Sequence, residues 1–113
     1  MSTLNRPYGF TLGFDLVKAP DGTHEKIIED IEEKYKDNAR WVLDTTWIIK
    51  SSSTSSIELY REIQTIITKH MGSKEFYLSV WKIDFSNFKI NFRPMDNLWF
   101  KKKFGFQTVL KKK

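Results

Sequence analysis

One carboxylate near the start of the chain is well placed to do chemistry, because it lies at the end of a predicted strand. In the stretch Tyr8 to Val17, large apolar side chains at every second position alternate with small residues and Asp15. Alternation with a period of two is typical of a β-strand with one face on the core. Asp15 therefore falls on the opposite face, just before the turn that begins at Lys18. There it is either a solvated charge or a ligand.

Positive charge is concentrated at the C-terminal end. The 113 residues include 19 Lys and Arg against 14 Asp and Glu, a net charge of +5. Six lysines lie after residue 100 and no acid follows Asp96, so thirteen basic and fourteen acidic residues remain in residues 1–100. A basic tail either contacts a polyanion or only keeps the chain end solvated. The candidate nucleic-acid contacts are Arg40, Lys50, Lys101, Lys102 and Lys103.

Composition is that of one globular domain. The chain is 40% hydrophobic and 15% aromatic, which is enough for a core, and it has no cysteine for a disulfide framework or a thiolate metal site. No apolar run approaches the length of a membrane span, and residues 1–10 lack the apolar stretch of a secretory signal. We therefore expect a cytoplasmic protein with no membrane partner.

The periodicity of apolar residues predicts the order strand, helix, strand, strand, helix, strand. The strands are predicted at 8–17, 40–43, 46–51 and 75–84, and amphipathic helices at 24–37 and 56–71. A short extra strand is predicted at 88–92, and part of the apolar residues within 95–113 is expected to dock on the domain. We assign 1–92 to the domain and 93–113 to a basic aromatic C-terminal extension.

This order predicts an α+β fold, the ferredoxin-like βαββαβ sandwich. Two right-handed strand–helix–strand crossovers give a four-stranded antiparallel sheet with both helices on one face. The other face is then left bare, and the side chains expected there are those of Thr11, Gly13, Asp15, Tyr77 and Trp81. An exposed sheet face usually binds a partner, so we predict a homodimer through this face.

Missing residues exclude several functions that this fold hosts. The third strand, TWIIKS, lacks the aromatic signature of an RNA recognition motif, and the chain has no glycine-rich phosphate loop. His24 and His70 are far apart in the sequence and are assigned to helix surfaces. Asp44 stands alone, without the second acid of a cyclase or polymerase, and is interpreted as a turn residue.

Two segments resemble the small SinR-like proteins. In that group the first strand ends in Tyr/Phe-Asp-Leu, which Phe14, Asp15 and Leu16 match. A segment of the form W-x-LD-S/T-T-W-hydrophobic-V/I-K follows there, which the chain matches from Trp41 to Lys50. The resemblance covers residues 8–84. The SinR-like group is similar to the superfamily of CRISPR-associated protein two and VapD, whose members are ferredoxin-like dimers.

The resemblance implies a homodimer and, as in several members, a metal-dependent endonuclease acting on RNA or DNA. In those members the first-strand aspartates of two subunits meet and hold a divalent metal. Carried over, that residue is Asp15, which would be both the catalytic residue and the ligand of Mg²⁺. Two facing carboxylates repel each other, and a Mg²⁺ between them relieves the repulsion and can polarise a phosphodiester.

The same superfamily supplies the alternative function. Other members keep the fold and serve as non-catalytic subunits that bind nucleic acid or bridge proteins. The alternative is therefore a binding or bridging dimer of a defence or mobile-element system, with the basic tail as its contact. One aspartate does not separate the two functions.

Overall fold

A computed structural model describes residues 8–43, 46–51, 55–86 and 89–105 and confirms the predicted α+β class. A short 3-10 turn, Lys36–Asn38, precedes the second strand. Among the described residues, no helix is long and apolar enough to cross a membrane. In chain order the other elements are β1 (Tyr8–Leu16), α1 (Thr23–Tyr35), β2 (Ala39–Leu43), β3 (Thr46–Ser51), α2 (Ser56–Met71), β4 (Phe76–Lys82) and α3 (Pro94–Phe104).

The four strands form one antiparallel sheet in the order β2-β3-β1-β4. β3 lies between β1 and β2, and β1 lies between β3 and β4, so each crossover passes over one strand. This is the split arrangement of the ferredoxin-like sandwich. The register places Gly9 opposite Lys50 at one end of the central strand and Asp15 opposite Tyr77 at the other.

The main core lies between the sheet and the helices α1 and α2. Every second residue of β1 points into it, and Phe10, Leu12 and Phe14 are all buried there. The helices contribute isoleucines at helical spacing, which are Ile27, Ile31, Ile63 and Ile67. The period of two along β1 and the period of about 3.6 along the helices therefore converge on one apolar layer.

Helix α2 begins and ends at residues that suit those positions. The Ser55 hydroxyl oxygen accepts a hydrogen bond from the backbone N–H of Glu58 at 3.2 Å, which caps the first turn. Gly72 follows the last turn with φ of 63°, a conformation that costs glycine little. The last serine before α2 therefore supplies its N-terminal cap.

The second face of the sheet is covered over one half, which corrects the prediction of a bare face. Trp99 and Phe100 of α3 pack on Val42 and Ile48 of the sheet. Around these four lie Ile83, Phe85, Ile90, Phe92 and Phe104. The expected docking of part of the C-terminal segment is therefore confirmed, and it forms a third helix.

The prediction of an extra strand at 88–92 is wrong for the part of that range that the structure describes. Residues 89–92 form no strand, and Phe88 lies outside the described residues, as do Asp44 and Thr45 of the predicted turn. Ile90 and Phe92 instead pack against the apolar cluster formed by Trp99, Phe100 and the sheet. Pro94, which has no N–H to donate to a sheet, begins α3 at once.

Gly9 is the point of closest approach between the sheet and this covering layer. A Cβ atom at Gly9 would lie 2.8 Å from Cζ of Phe85 and 3.0 Å from Cε1 of Phe104. These distances are shorter than ordinary carbon contacts, so the aromatic rings can pack on β1 only because position 9 has no side chain.

We predict that Gly9→Val destabilises the protein by about 1–3 kcal/mol, the usual cost of inserting a side chain into a packed site. The measurement is the free energy of unfolding in urea. Ser79→Ala, on the exposed part of the same face, is the matched control and should change stability by less than about 0.5 kcal/mol. Equal stability of Gly9→Val and wild type would show that the aromatic rings do not pack on β1.

Candidate functional site

Asp15 lies on the open half of the second face. Its side chain is exposed, at the end of β1 opposite Tyr77 of β4. Within the ranges that the structure describes, it makes no hydrogen bond or ion pair. It borders a shallow hollow of about 360 Å³ whose other lining residues are Gly13, Phe14, Thr46, Tyr77, Leu78 and Ser79. Asp15 is thus an accessible charge beside a space that a ligand can enter.

Two aromatic side chains stand on the same open half. Tyr77 is 58% exposed and Trp81 is 69% exposed, and both point to the second face as predicted. The Tyr77 hydroxyl donates a hydrogen bond of 2.5 Å to Oε2 of Glu75. This bond and the negative charge of Glu75 raise the pKa of Tyr77. Tyr77 therefore remains a neutral hydrogen-bond donor with its ring held beside the hollow.

The described residues of one copy do not form a cluster of ligands that would hold a metal ion firmly. Among the described residues, no group of three or more His, Asp or Glu side chains is close enough to hold one. Mg²⁺ is commonly bound through one or two carboxylates, with water and substrate phosphate completing its shell. Asp15 supplies one such carboxylate, and the Asp15 of a second copy facing it would supply another.

Arg40, a predicted nucleic-acid contact, binds a carboxylate of the same chain. Its Nε atom lies 2.5 Å from Oδ1 of Asp96, and Nε of Arg93 lies 2.9 Å from Oδ2. Asp96 is buried. Burial alone would raise its pKa, but the hydrogen bonds from the two guanidinium groups outweigh this and hold the pKa of Asp96 below its ordinary value. The main contact of Arg40 therefore anchors α3 to β2.

The other end of α3 is tied to the turn before β2. The indole N–H of Trp99 donates to the backbone oxygen of Asp37 at 2.8 Å, and Nζ of Lys103 lies 2.8 Å from Oδ2 of the same residue. The hydrogen bond from Lys103 is the main reason why the pKa of Asp37 is lowered. Lys101 and Lys102 are exposed. The three predicted lysine contacts therefore differ: within the described part of the chain, Lys103 is held in an ion pair, whereas Lys101 and Lys102 are not.

The structure does not bring Asp15 together with the predicted basic contacts. Lys50 pairs in register with Gly9, the residue on which Phe104 of α3 packs. The six steps along the strand from Gly9 to Asp15 span roughly 20 Å. The sheet therefore has a carboxylate end and a lysine end, on opposite sides of the molecule.

Both histidines lie in structural contacts. Nε2 of His70 lies 2.7 Å from Oδ2 of Asp30, which joins α2 to α1. The ring of His24 packs between Phe14 and Trp41, with ring centroids 5.6 and 6.2 Å apart. Both were assigned to helix surfaces; His24 is exposed on α1, as predicted, and His70 is half-buried on α2.

No protein-family model and no curated protein sequence matches this chain.

The carboxylate of Asp96 should contribute measurably to stability. We predict that Asp96→Asn lowers the free energy of unfolding at neutral pH by about 1–3 kcal/mol, because hydrogen bonds between charged groups are lost. The measurement is urea denaturation, with Asp21→Asn, an exposed acid in a turn, as the matched control.

The effect of Asp96→Asn should depend on pH in one direction. The folded pKa lies below the ordinary value of 3.8, so the stabilisation is fully present above that value and is lost as pH falls through the folded pKa. The stability difference between wild type and Asp96→Asn should therefore narrow in strong acid. A difference that stays constant down to low pH would contradict the charged interaction.

Proposed function

We propose that this protein is a small nucleic-acid-associated homodimer that cleaves RNA or DNA with the help of Mg²⁺. The observation that carries the proposal is Asp15, an exposed carboxylate on the uncovered half of a sheet face, with no hydrogen bond or ion pair within the described ranges. A second copy facing this position would bring two carboxylates together, and a cation bound between them would offset their repulsion.

In this proposal the two copies face each other at their carboxylate ends. The two Asp15 side chains would hold Mg²⁺, which when bound polarises the phosphodiester and helps to deliver water to it. Asp15 positions the ion, and the hollow between Thr46 and Tyr77 leaves space for substrate beside it. The covered half of the face, under α3, stays outside the contact, so α3 limits where the second copy can dock.

Cleavage of nucleic acid by wild type should require Mg²⁺ and Asp15. We expect Asp15→Ala to reduce the cleavage rate by at least roughly a hundredfold, because a catalytic metal contributes several kcal/mol to the barrier. The assay uses single- and double-stranded RNA and DNA with and without Mg²⁺, and light scattering reports the oligomeric state. Asp21→Ala is the matched control and should cleave like wild type.

Two results of this assay would count against the proposal. The first is that wild type cleaves none of the four substrates. The second is that Asp15→Ala cleaves as fast as wild type. A monomeric wild-type protein would remove the second carboxylate and with it the proposed metal site.

A second function is favoured by the exposed lysines of α3. Lys101 and Lys102 have side chains in solvent at the end of the sheet opposite Asp15. Neutralising phosphates with lysines releases counterions and needs no metal. In this alternative the protein is a non-catalytic nucleic-acid-binding module, and its contact surface is the lysine end.

The two exposed lysines and the paired lysine should behave differently in binding. If the lysine end is the contact, the double variant Lys101→Ala/Lys102→Ala should bind oligonucleotides more weakly, with a salt-dependence slope smaller by roughly 0.7 for each lost contact to a single strand. Fluorescence anisotropy over a range of salt concentrations measures both quantities. Lys103→Ala should mainly lower stability, since it breaks the pair with Asp37. An unchanged slope in the double variant would exclude the lysine end as the contact.

A further inference from the structure

The hollow beside Asp15 is shallow and has a floor of small residues. Gly13 and Ser79 lie opposite each other in the register of β1 and β4 and form this floor. Phe14 and Leu78 also line the hollow, but their side chains pack in the core on the other side of the sheet. Only their backbone therefore faces the hollow, which leaves a volume of about 360 Å³ above the sheet.

One wall of the hollow is the aromatic ring of Tyr77, which a hydrogen bond orients. The Tyr77 hydroxyl donates to Glu75, and more than half of the side chain is exposed. A ring that is already oriented loses little freedom when a flat molecule stacks on it. Nucleobases stack on aromatic side chains in this way, and they do so whatever their sequence.

A second exposed aromatic ring, that of Trp81, lies further along β4. Trp81 lies on the same face of β4, four residues beyond Tyr77 and roughly 13 Å away along the strand. Trp81 is the most exposed of the large hydrophobic side chains in the described part of the chain, at 69%. The two rings are too far apart to stack on one base, so they offer separate platforms along the strand direction.

The polar groups of the hollow fit a base edge better than they fit an apolar protein surface. Thr46 and Ser79 contribute hydroxyl groups, and Asp15 contributes a carboxylate. Hydroxyl groups can donate or accept hydrogen bonds, and a carboxylate accepts them from base amino groups. An apolar side chain from a second copy would leave these groups unpaired. Phosphates, in contrast, would stay outside the hollow, because Asp15 and Glu75 repel them wherever no cation is bound.

We infer that the hollow receives an unpaired base stacked on Tyr77, that Trp81 stacks on a further base, and that the protein therefore binds single-stranded nucleic acid. This inference rests on the proposed function and deepens it, because it names the substrate class. In a duplex each base is stacked and paired within the helix, so its face is not available to Tyr77. The bound strand runs along β4, past the hollow and Asp15.

The test measures affinity for short labelled oligonucleotides by fluorescence anisotropy. The parent protein is the wild type with Asp15 intact, and Ca²⁺ replaces Mg²⁺ throughout, so that cleavage that depends on Mg²⁺ does not consume the probe. The probes are single strands of RNA and of DNA and the matching duplexes. We expect single strands to bind more tightly, and Tyr77→Ala and Trp81→Ala each to weaken that binding roughly tenfold. Tyr77→Phe keeps the ring and should bind within about threefold of the parent protein.

Leu98→Ala is the matched control, because Leu98 is equally exposed but lies on α3, away from the open half. It should bind like the parent protein. Ring-dependent binding of either the RNA or the DNA single strand supports the inference. Unchanged affinity in both Tyr77→Ala and Trp81→Ala, or duplexes bound as tightly as single strands, would overturn it.

The oligomeric state of the same variants separates the inference from the proposed function. If Tyr77→Ala or Trp81→Ala converts a dimer into a monomer by light scattering, the ring belongs to the subunit contact and the inference is overturned. If the wild-type protein cleaves nothing but single strands still bind through the two rings, the inference holds and the proposed catalysis fails.

Discussion

The carboxylate of Asp96 accepts hydrogen bonds from Nε of Arg40 and Nε of Arg93, and this shared contact fixes α3 to the edge of the sheet. The ordering cost of two long arginine side chains is offset because one buried acceptor orients both. Once α3 is held there, Trp99 and Phe100 cover Val42 and Ile48. The position of the covering layer, and hence the extent of the open surface, follows from this one cluster.

The division of the sheet face also separates two kinds of chemistry. On the covered half the side chains are apolar, and glycine at position 9 lets aromatic rings lie directly on the strand. On the open half they are small or polar, with Asp15 and two exposed aromatic rings. Strand β1 contributes to both halves. Gly9, near its start, lies under the covering layer, and Asp15, near its end, lies on the open half.

The sequence predicted the sandwich well because its elements have regular periodicity. Alternation along β1 and helical spacing in α1 and α2 are strong signals, and the bounds differ from the structure by two residues at most. Helix α3 was missed because its apolar residues do not form one stripe. Met95 and Leu98 are exposed while the neighbouring Trp99 and Phe100 are buried. Its start was nevertheless marked by Pro94 with an acid in the first turn, and its end by three lysines.

The face on which the candidate site lies was predictable from the sequence, but the contacts within the site were not. Asp15, Tyr77 and Trp81 were assigned to the correct face by alternation alone. The hollow depends on which residues of distant segments stand opposite each other, such as Gly13 and Ser79. The role of Arg40 depends on a carboxylate far along the chain. Periodicity within one segment carries no information about such partners.

Arg93 has one further consequence, for the assembly of sheets. Its Nη2 atom lies 3.3 Å from the backbone oxygen of Trp41 and 3.4 Å from that of Val42, both on the edge strand β2. A strand from another molecule that added to that edge would first have to displace the Arg93 guanidinium group from it. Arg93 therefore protects the β2 edge against such an addition, in addition to holding the start of α3.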